Sequence, residues 1–149
     1  NGSITVTDTA TGEFTIDMNT LAVGLTAKKP GKEGALEAHL KKSDFFDVEK
    51  YPTATFVISS VSPQGDAATT NRYDVTGELT MKGKTNTVQF PATIAMENGM
   101  LHADATFSID RTKWGITLGS ANFFQNLADN VIDDMVQLTL EIVAQPSRL

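Results

Sequence analysis

A chain of 149 residues carries 12 Lys and Arg against 18 Asp and Glu, a formal net charge of -6, and has the size of one domain able to bury its own core. The acidic balance excludes a general nucleic-acid surface and electrostatic docking on anionic lipid, since both need clustered cations. The absence of cysteine excludes disulfides, thiolate catalysis and most structural zinc sites, and no apolar run is long enough to span a membrane as a helix.

The chain opens on Asn1-Gly2-Ser3, with neither an initiating methionine nor a signal peptide, so a processed or cropped start is expected. Phe14, Ile16 and Met18 then alternate with Thr15 and Asp17, a period of two that marks a half-buried strand. Pro30-Gly31-Lys32-Glu33-Gly34 reads as a loop. Ser43 and Asp44 suit the cap of a short turn over Ser43 to Asp47. Phe45 and Phe46 lie on that turn between charges, as an aromatic plug. Tyr51-Pro52 ends any helix, and Ala54, Phe56 and Ile58 begin the next strand.

A looser polar connection runs from Pro63 to Asn71. The alternation returns at Tyr73, Val75, Gly77, Leu79 and Met81. Lys82-Gly83-Lys84 is a hairpin signal, and so is Glu97-Asn98-Gly99 after the strand that holds Val88 and Phe90. Leu101, Ala103, Ala105, Phe107 and Ile109 form another alternating set. Ala121 to Asp129 is the second helix candidate. Leu138, Leu140, Ile142 and Ala144 close the pattern, and the tail Gln145 to Leu149 is expected to fray. Seven or eight antiparallel strands in one all-β domain imply a sandwich or a barrel, and periodicity does not choose between them.

Catalytic signals are sparse. His102 falls on the outward parity of its strand, and His39 suits a structural hydrogen bond at the plug. Neither has metal-ligand spacing, and neither a nucleophile elbow nor a phosphate loop occurs. Asp129, Asp133 and Asp134 lack the oxygen-ligand spacing and glycine of a calcium loop and read as a solvated acidic loop. The expectation is therefore no catalytic residue and no metal site. Arg111 shares the inward parity of Ile109, and a buried guanidinium needs a partner. It is either an ion-pair member closing one end of the barrel or a clamp for a ligand head group. Asp17, Asp44 and Asp47 are the candidate partners.

The inward apolar inventory holds Phe14, Ile16, Met18, Phe56, Ile58, Leu79, Met81, Val88, Phe90, Ile94, Phe107, Ile109, Trp114, Leu138 and Leu140. Phe45, Phe46, Phe123 and Phe124 lie on turns suited to capping the ends. A filled core and a ligand cavity give the same pattern in sequence, and eight strands is the size at which a barrel either fills or holds one small ligand.

Four segments, in order, decide the resemblance: His39 to Phe56, Tyr73 to Thr85, Val88 to Ala92, and Ala105 to Ile116. Together they resemble the YceI-like family of bacterial, lipocalin-like barrel proteins, which are periplasmic or secreted. The resemblance implies an antiparallel barrel over residues 1–149 with one or two short helices. It implies a non-enzymatic binder that sequesters or transports a polyprenyl lipid, an isoprenoid quinone or a similar amphiphile, with no other cofactor required. The ligand-binding residues would be Phe14, Ile16, Met18, Phe45, Phe46, Phe56, Ile58, Leu79, Met81, Phe90, Ile94, Phe107, Ile109, Arg111, Trp114, Leu138 and Leu140. Members usually begin with two successive strands, and Ser3-Ile4-Thr5-Val6 resembles the end of the second; with the opening strand and part of the next missing, an open seam favouring strand exchange or a homodimer is expected. Two other readings stand beside this one: a structural or stress-related β-domain with a filled core, and a hydrolase using His39.

Overall fold

The computed structural model describes residues 2–5, 11–24, 30–128 and 131–145, and for residues 2–5 and 67–68 it describes the backbone. Seven strands form one sheet in chain order. They are β1 (Gly2–Thr5), β2 (Thr11–Asp17), β3 (Thr53–Pro63), β4 (Arg72–Met81), β5 (Lys84–Glu97), β6 (Met100–Asp110) and β7 (Met135–Ala144). Every adjacent pair is antiparallel. The fold is thus all-β, and the sheet curls into an incomplete antiparallel barrel. Among the described strands, β1 and β7 form the two edges of the sheet and run in the same direction.

The two tight turns follow from local chemistry. Lys82 and Gly83 have φ of 50° and 72°, and Asn98 and Gly99 have φ of 52° and 76°. Two successive positive values define the turn whose twist matches that of paired strands. The inward parity is also as expected on β4 and β6, where Val75, Leu79, Ala105 and Ile109 are buried. On β3 the register shifts between Ile58 and Ser60. That bulge changes the parity beyond it, so Val61 joins the apolar face.

Helix placement differs from expectation. The segment that begins in the expected Pro30–Gly34 loop forms α1 (Glu33–Leu40), which has no side-chain cap and no buried residue. Its anchors are tertiary: Glu37 accepts from the Val23 N–H at 3.3 Å and Lys41 reaches the Asn19 carbonyl at 3.2 Å, while a local i,i+4 bond from Lys41 to Glu37 at 3.0 Å links the two. A single-turn α2 (Ala67–Thr70) lies in the β3–β4 connection. Ala121 to Asn126 forms turns rather than helix, with the Phe123 and Phe124 N–H groups both bonded to the Ser120 carbonyl. Asp129 and the last four residues lie outside the described residues.

The β2–β3, β4–β5 and β6–β7 connections share one end of the sheet. This end carries the plug. Phe45 is 7% exposed and Val48 4%. The Phe45 ring meets the His39 ring edge-on at 5.3 Å, and His39 Nε2 lies 3.1 Å from Asp44 Oδ2. The plug is tied to the sheet by Lys82, whose ammonium donates to the Ser43 carbonyl at 2.7 Å.

Candidate functional site: an aromatic row on the inner face

Phe14, Phe56, Phe90 and Phe107 form a continuous row across the inner face. Successive ring centroids are 6.5, 5.7 and 4.1 Å apart. Their strands are β2, β3, β5 and β6, so the row must cross β4. Gly77 makes that crossing. A Cβ there would overlap both the Phe56 ring and the Val57 carbonyl oxygen. The missing side chain lets Phe56 lie flat over β4 and reach Phe90.

The β5–β6 ladder runs from Thr93↔Asp104 to Glu97↔Met100. Nearer the plug the two strands are joined by side chains instead. Phe90 stacks on Phe107 with an interplanar angle of 6°, and Asn86 donates to the Lys113 carbonyl at 3.2 Å. The 3₁₀ turn Arg111–Trp114 fills this region. Trp114 is 1% exposed and its indole N–H donates to the Leu79 carbonyl on β4 at 2.9 Å.

The buried cluster comprises Phe56, Ile58, Val75, Leu79, Phe90, Ala92, Ala105, Ile109 and Trp114. Packed against it, and only half-buried, are Phe14, Val61, Met81, Val88, Ile94, Phe107, Val136, Leu138 and Leu140. The inner face is therefore apolar yet incompletely covered. Of the residues expected to line a cavity, this cluster unites Phe14, Phe56, Ile58, Leu79, Met81, Phe90, Ile94, Phe107, Ile109, Trp114, Leu138 and Leu140. Ile16 lies apart at 43% exposure, Met18 sits half-buried in the 3₁₀ turn Met18–Thr20, and Phe45 and Phe46 belong to the plug. Val61, Val75, Ala92, Ala105 and Val136 complete the face and were absent from the inventory. Parity alone signals four of them, while the β3 bulge hides Val61. Phe123 and Phe124, expected to cap an end, are 59% and 46% exposed instead.

Arg111 is 4% exposed, and its partners are none of Asp17, Asp44 and Asp47. Nε donates to the Asp133 carbonyl at 2.9 Å and one terminal nitrogen to the Ile116 carbonyl at 2.7 Å. The other donates to the Ile132 carbonyl at 3.0 Å and to Asp134 Oδ1 at 3.3 Å. Asp134 also accepts from Ser120 Oγ at 2.8 Å and Asn122 Nδ2 at 2.7 Å. Asp134 is thus part of a partly buried latch rather than of a solvated acidic loop. The latch holds Ile116, Ile132, Asp133 and Asp134 together at the start of β7, and the sequence missed Asp134 as the partner because it reads as part of a solvated acidic loop.

Four further carboxylates, Asp110, Asp17, Glu37 and Asp44, are held by local hydrogen bonds. Asp110 caps the Arg111–Trp114 turn, accepting from the Thr112 hydroxyl at 2.6 Å and its N–H at 3.0 Å. These bonds, the hydroxyl first, hold the Asp110 carboxyl below its ordinary pKa. Hydrogen bonds from the Asn19 side chain and N–H do the same for Asp17, and Lys41 does so for Glu37. The bond from His39 lowers Asp44. His39 and Asp44 are both exposed and lie outside the apolar cluster. Among the described residues, no group of three His, Cys, Asp or Glu side chains is arranged to hold a metal ion, and no helix is long and apolar enough to cross a membrane.

A meander of antiparallel strands curled around an apolar inner face is the architecture of a lipocalin-like barrel protein. The chain belongs to the YceI-like domain family, which matches residues 1–144. Among curated relatives, a UPF0312 protein of Pseudomonas putida is 49% identical over 57 residues, covering 38% of this chain and 28% of the relative. One from Vibrio vulnificus is 32% identical over 96 residues, 60% of this chain and 47% of the relative. Protein YceI of Escherichia coli O157:H7 is 41% identical over 56 residues, 38% of this chain and 27% of that protein. The matched part of the chain thus spans less than half the length of each of these relatives. Among solved structures, Burkholderia cenocepacia BcnA superposes with a TM-score of 0.75 at 28% identity, covering 97% of this chain and 83% of that one. Campylobacter jejuni YceI shares the fold at a TM-score of 0.69 and 18% identity, over 99% of this chain and 82% of that one.

Proposed function

We propose that this chain binds an isoprenoid lipid or similar amphiphile along the inner face of the barrel, sequestering or carrying it without catalysis, outside the cytoplasm of a bacterium. The observation that carries this reading is the row Phe14–Phe56–Phe90–Phe107, whose two outer rings are only half-buried. Half-covered Val136, Leu138 and Leu140 extend the same surface onto β7. Leaving so much contiguous apolar surface in contact with water is unfavourable, and such patches mark binding surfaces. An isoprenoid tail would cover it, gaining about 0.8 kcal/mol for each buried CH₂. The polar head group would stay near a polar mouth of the barrel.

Native mass spectrometry of protein purified without detergent, followed by organic extraction, tests this. A stoichiometric adduct of polyprenyl or quinone mass is the expected result. Phe107→Glu places a carboxylate in the row and should abolish uptake. A folded Phe107→Glu protein that still takes up the lipid would overturn the assignment of the site.

A further inference from the structure

The sheet is split between two strands that are neighbours in the chain. β5 has 14 residues and β6 has 11, yet their ladder holds only the pairs from Thr93↔Asp104 to Glu97↔Met100. Pro91 explains where it stops. The Ile94 N–H bonds the Asn71 carbonyl at 2.8 Å, on the β4 side. Main-chain groups alternate sides along a strand, so those of Ala92 and Phe90 also address β4, while those of Pro91 and Gln89 address β6. Pro91 has no N–H to donate there, and proline inside a long strand marks a side without a ladder. Carried past the break, the register sets Phe90 opposite Phe107 and Gln89 opposite Ser108. Among the described residues no ladder pair joins these positions, and the stacked rings of Phe90 and Phe107, 4.1 Å between centroids, close the wall instead. Gln89, Pro91, Thr106 and Ser108 are exposed on the outer rim, and Ala92, Ala105 and Ile109 are buried behind it.

We infer that this split is a side portal, through which the apolar tail passes between β5 and β6 onto the aromatic row as the Phe107 ring swings away from Phe90; the inference rests on the cargo reading proposed for the inner face. Opening here breaks no ladder hydrogen bond, whereas parting any other described pair of neighbouring strands at mid-length does. Phe90 is 5% exposed and Phe107 only half-buried, so Phe107 is the ring that is freer to move. The portal opens directly on the row, because both gate rings belong to it. At the plug end the alternative way in is covered by buried Phe45 and Val48. The split lies within the sheet, bounded on its plug side by the bond from Asn86 to the Lys113 carbonyl.

Amide hydrogen exchange followed by NMR tests the split without any cargo. The N–H groups of Gln89, Thr106 and Ser108 should exchange about tenfold or more faster than those of Thr93 and Asp104, which stand in the ladder. Equally slow exchange at both sets would overturn the portal. The chain has no cysteine, so Gln89→Cys combined with Ser108→Cys lets a short bismaleimide fasten the split from its outer face. Stopped-flow quenching of Trp114, the sole tryptophan, by a ubiquinone of two isoprene units then measures uptake. Linking should slow uptake and release together by about tenfold or more and leave the affinity as in the unlinked variant. Uptake by the linked protein as fast as by the unlinked one would overturn the portal and leave the cargo reading standing. Quenching absent with and without the link would overturn the cargo reading, and the portal with it.

Discussion

Arg111→Met removes the guanidinium from a site where it is 4% exposed and keeps an apolar side chain of similar length. Four hydrogen bonds disappear, three of them to the main-chain carbonyls of Ile116, Ile132 and Asp133. Asp134 keeps its bonds from Ser120 and Asn122 but loses its ion-pair partner. Breaking a buried pair by removing one partner costs about 3–5 kcal/mol, and the orphaned carbonyls act in the same direction. For a chain of this size, that corresponds to a melting temperature lower by about 6–20 °C. The sole tryptophan, Trp114, lies in the turn that Arg111 begins and is 1% exposed. Its emission therefore reports opening at this end, while circular dichroism reports the sheet. Arg111→Lys retains the charge without the planar fork and should recover less than half of the loss. A drop below about 2 °C, which corresponds to less than about 1 kcal/mol, would refute the latch. A variant with wild-type melting but weakened cargo binding would identify Arg111 as a head-group clamp instead.

Gly77→Ala should lower stability by about 1–3 kcal/mol, because the added methyl displaces Phe56 from its place over β4; a melting temperature within a degree of wild type would show that Phe56 gives way freely. Asp110→Ala removes the cap of the Arg111–Trp114 turn and should cost about 0.5–2 kcal/mol at neutral pH. Because folding lowers the Asp110 pKa, its contribution is present above the ordinary value of 3.8 and is lost as pH falls through the lower folded value. The difference in stability between wild type and Asp110→Ala should therefore narrow below pH 3.8, and a gap that widens with acid in chemical denaturation would contradict the assignment. Trp114→Phe leaves the Leu79 carbonyl without its donor and should destabilise by about 1–3 kcal/mol, measured by urea denaturation followed by circular dichroism; an unchanged midpoint would mean that the indole bond contributes nothing net.

What the sequence determined by itself is what short-range rules govern. Period-two alternation located β2, β3, β4, β6 and β7, because a strand with one covered face repeats every second residue, and the two hairpin signals placed β5 between β4 and β6. The turns at Lys82-Gly83 and Asn98-Gly99 were legible because positive φ selects glycine and asparagine locally. The ordered segments from His39 to Ile116 carried the family. Helix α1 was not legible, since its eight residues bury nothing and lack a side-chain cap, and the bonds anchoring it come from Asn19 and Val23. The β3 bulge reversed the face of Val61 through pairing with β4, which no local signal in β3 encodes. The partner of Arg111 lies 23 residues away in sequence, at Asp134, and three of its four acceptors are backbone carbonyls that carry no sequence identity at all. Only the tertiary structure could show that Gly77 is the crossing point of the aromatic row, because a glycine in a strand looks the same whether or not a ring lies over it. The same holds for the inner face. Alternation says which side chains share a side of the sheet, but how far that side is covered depends on the curl of the sheet.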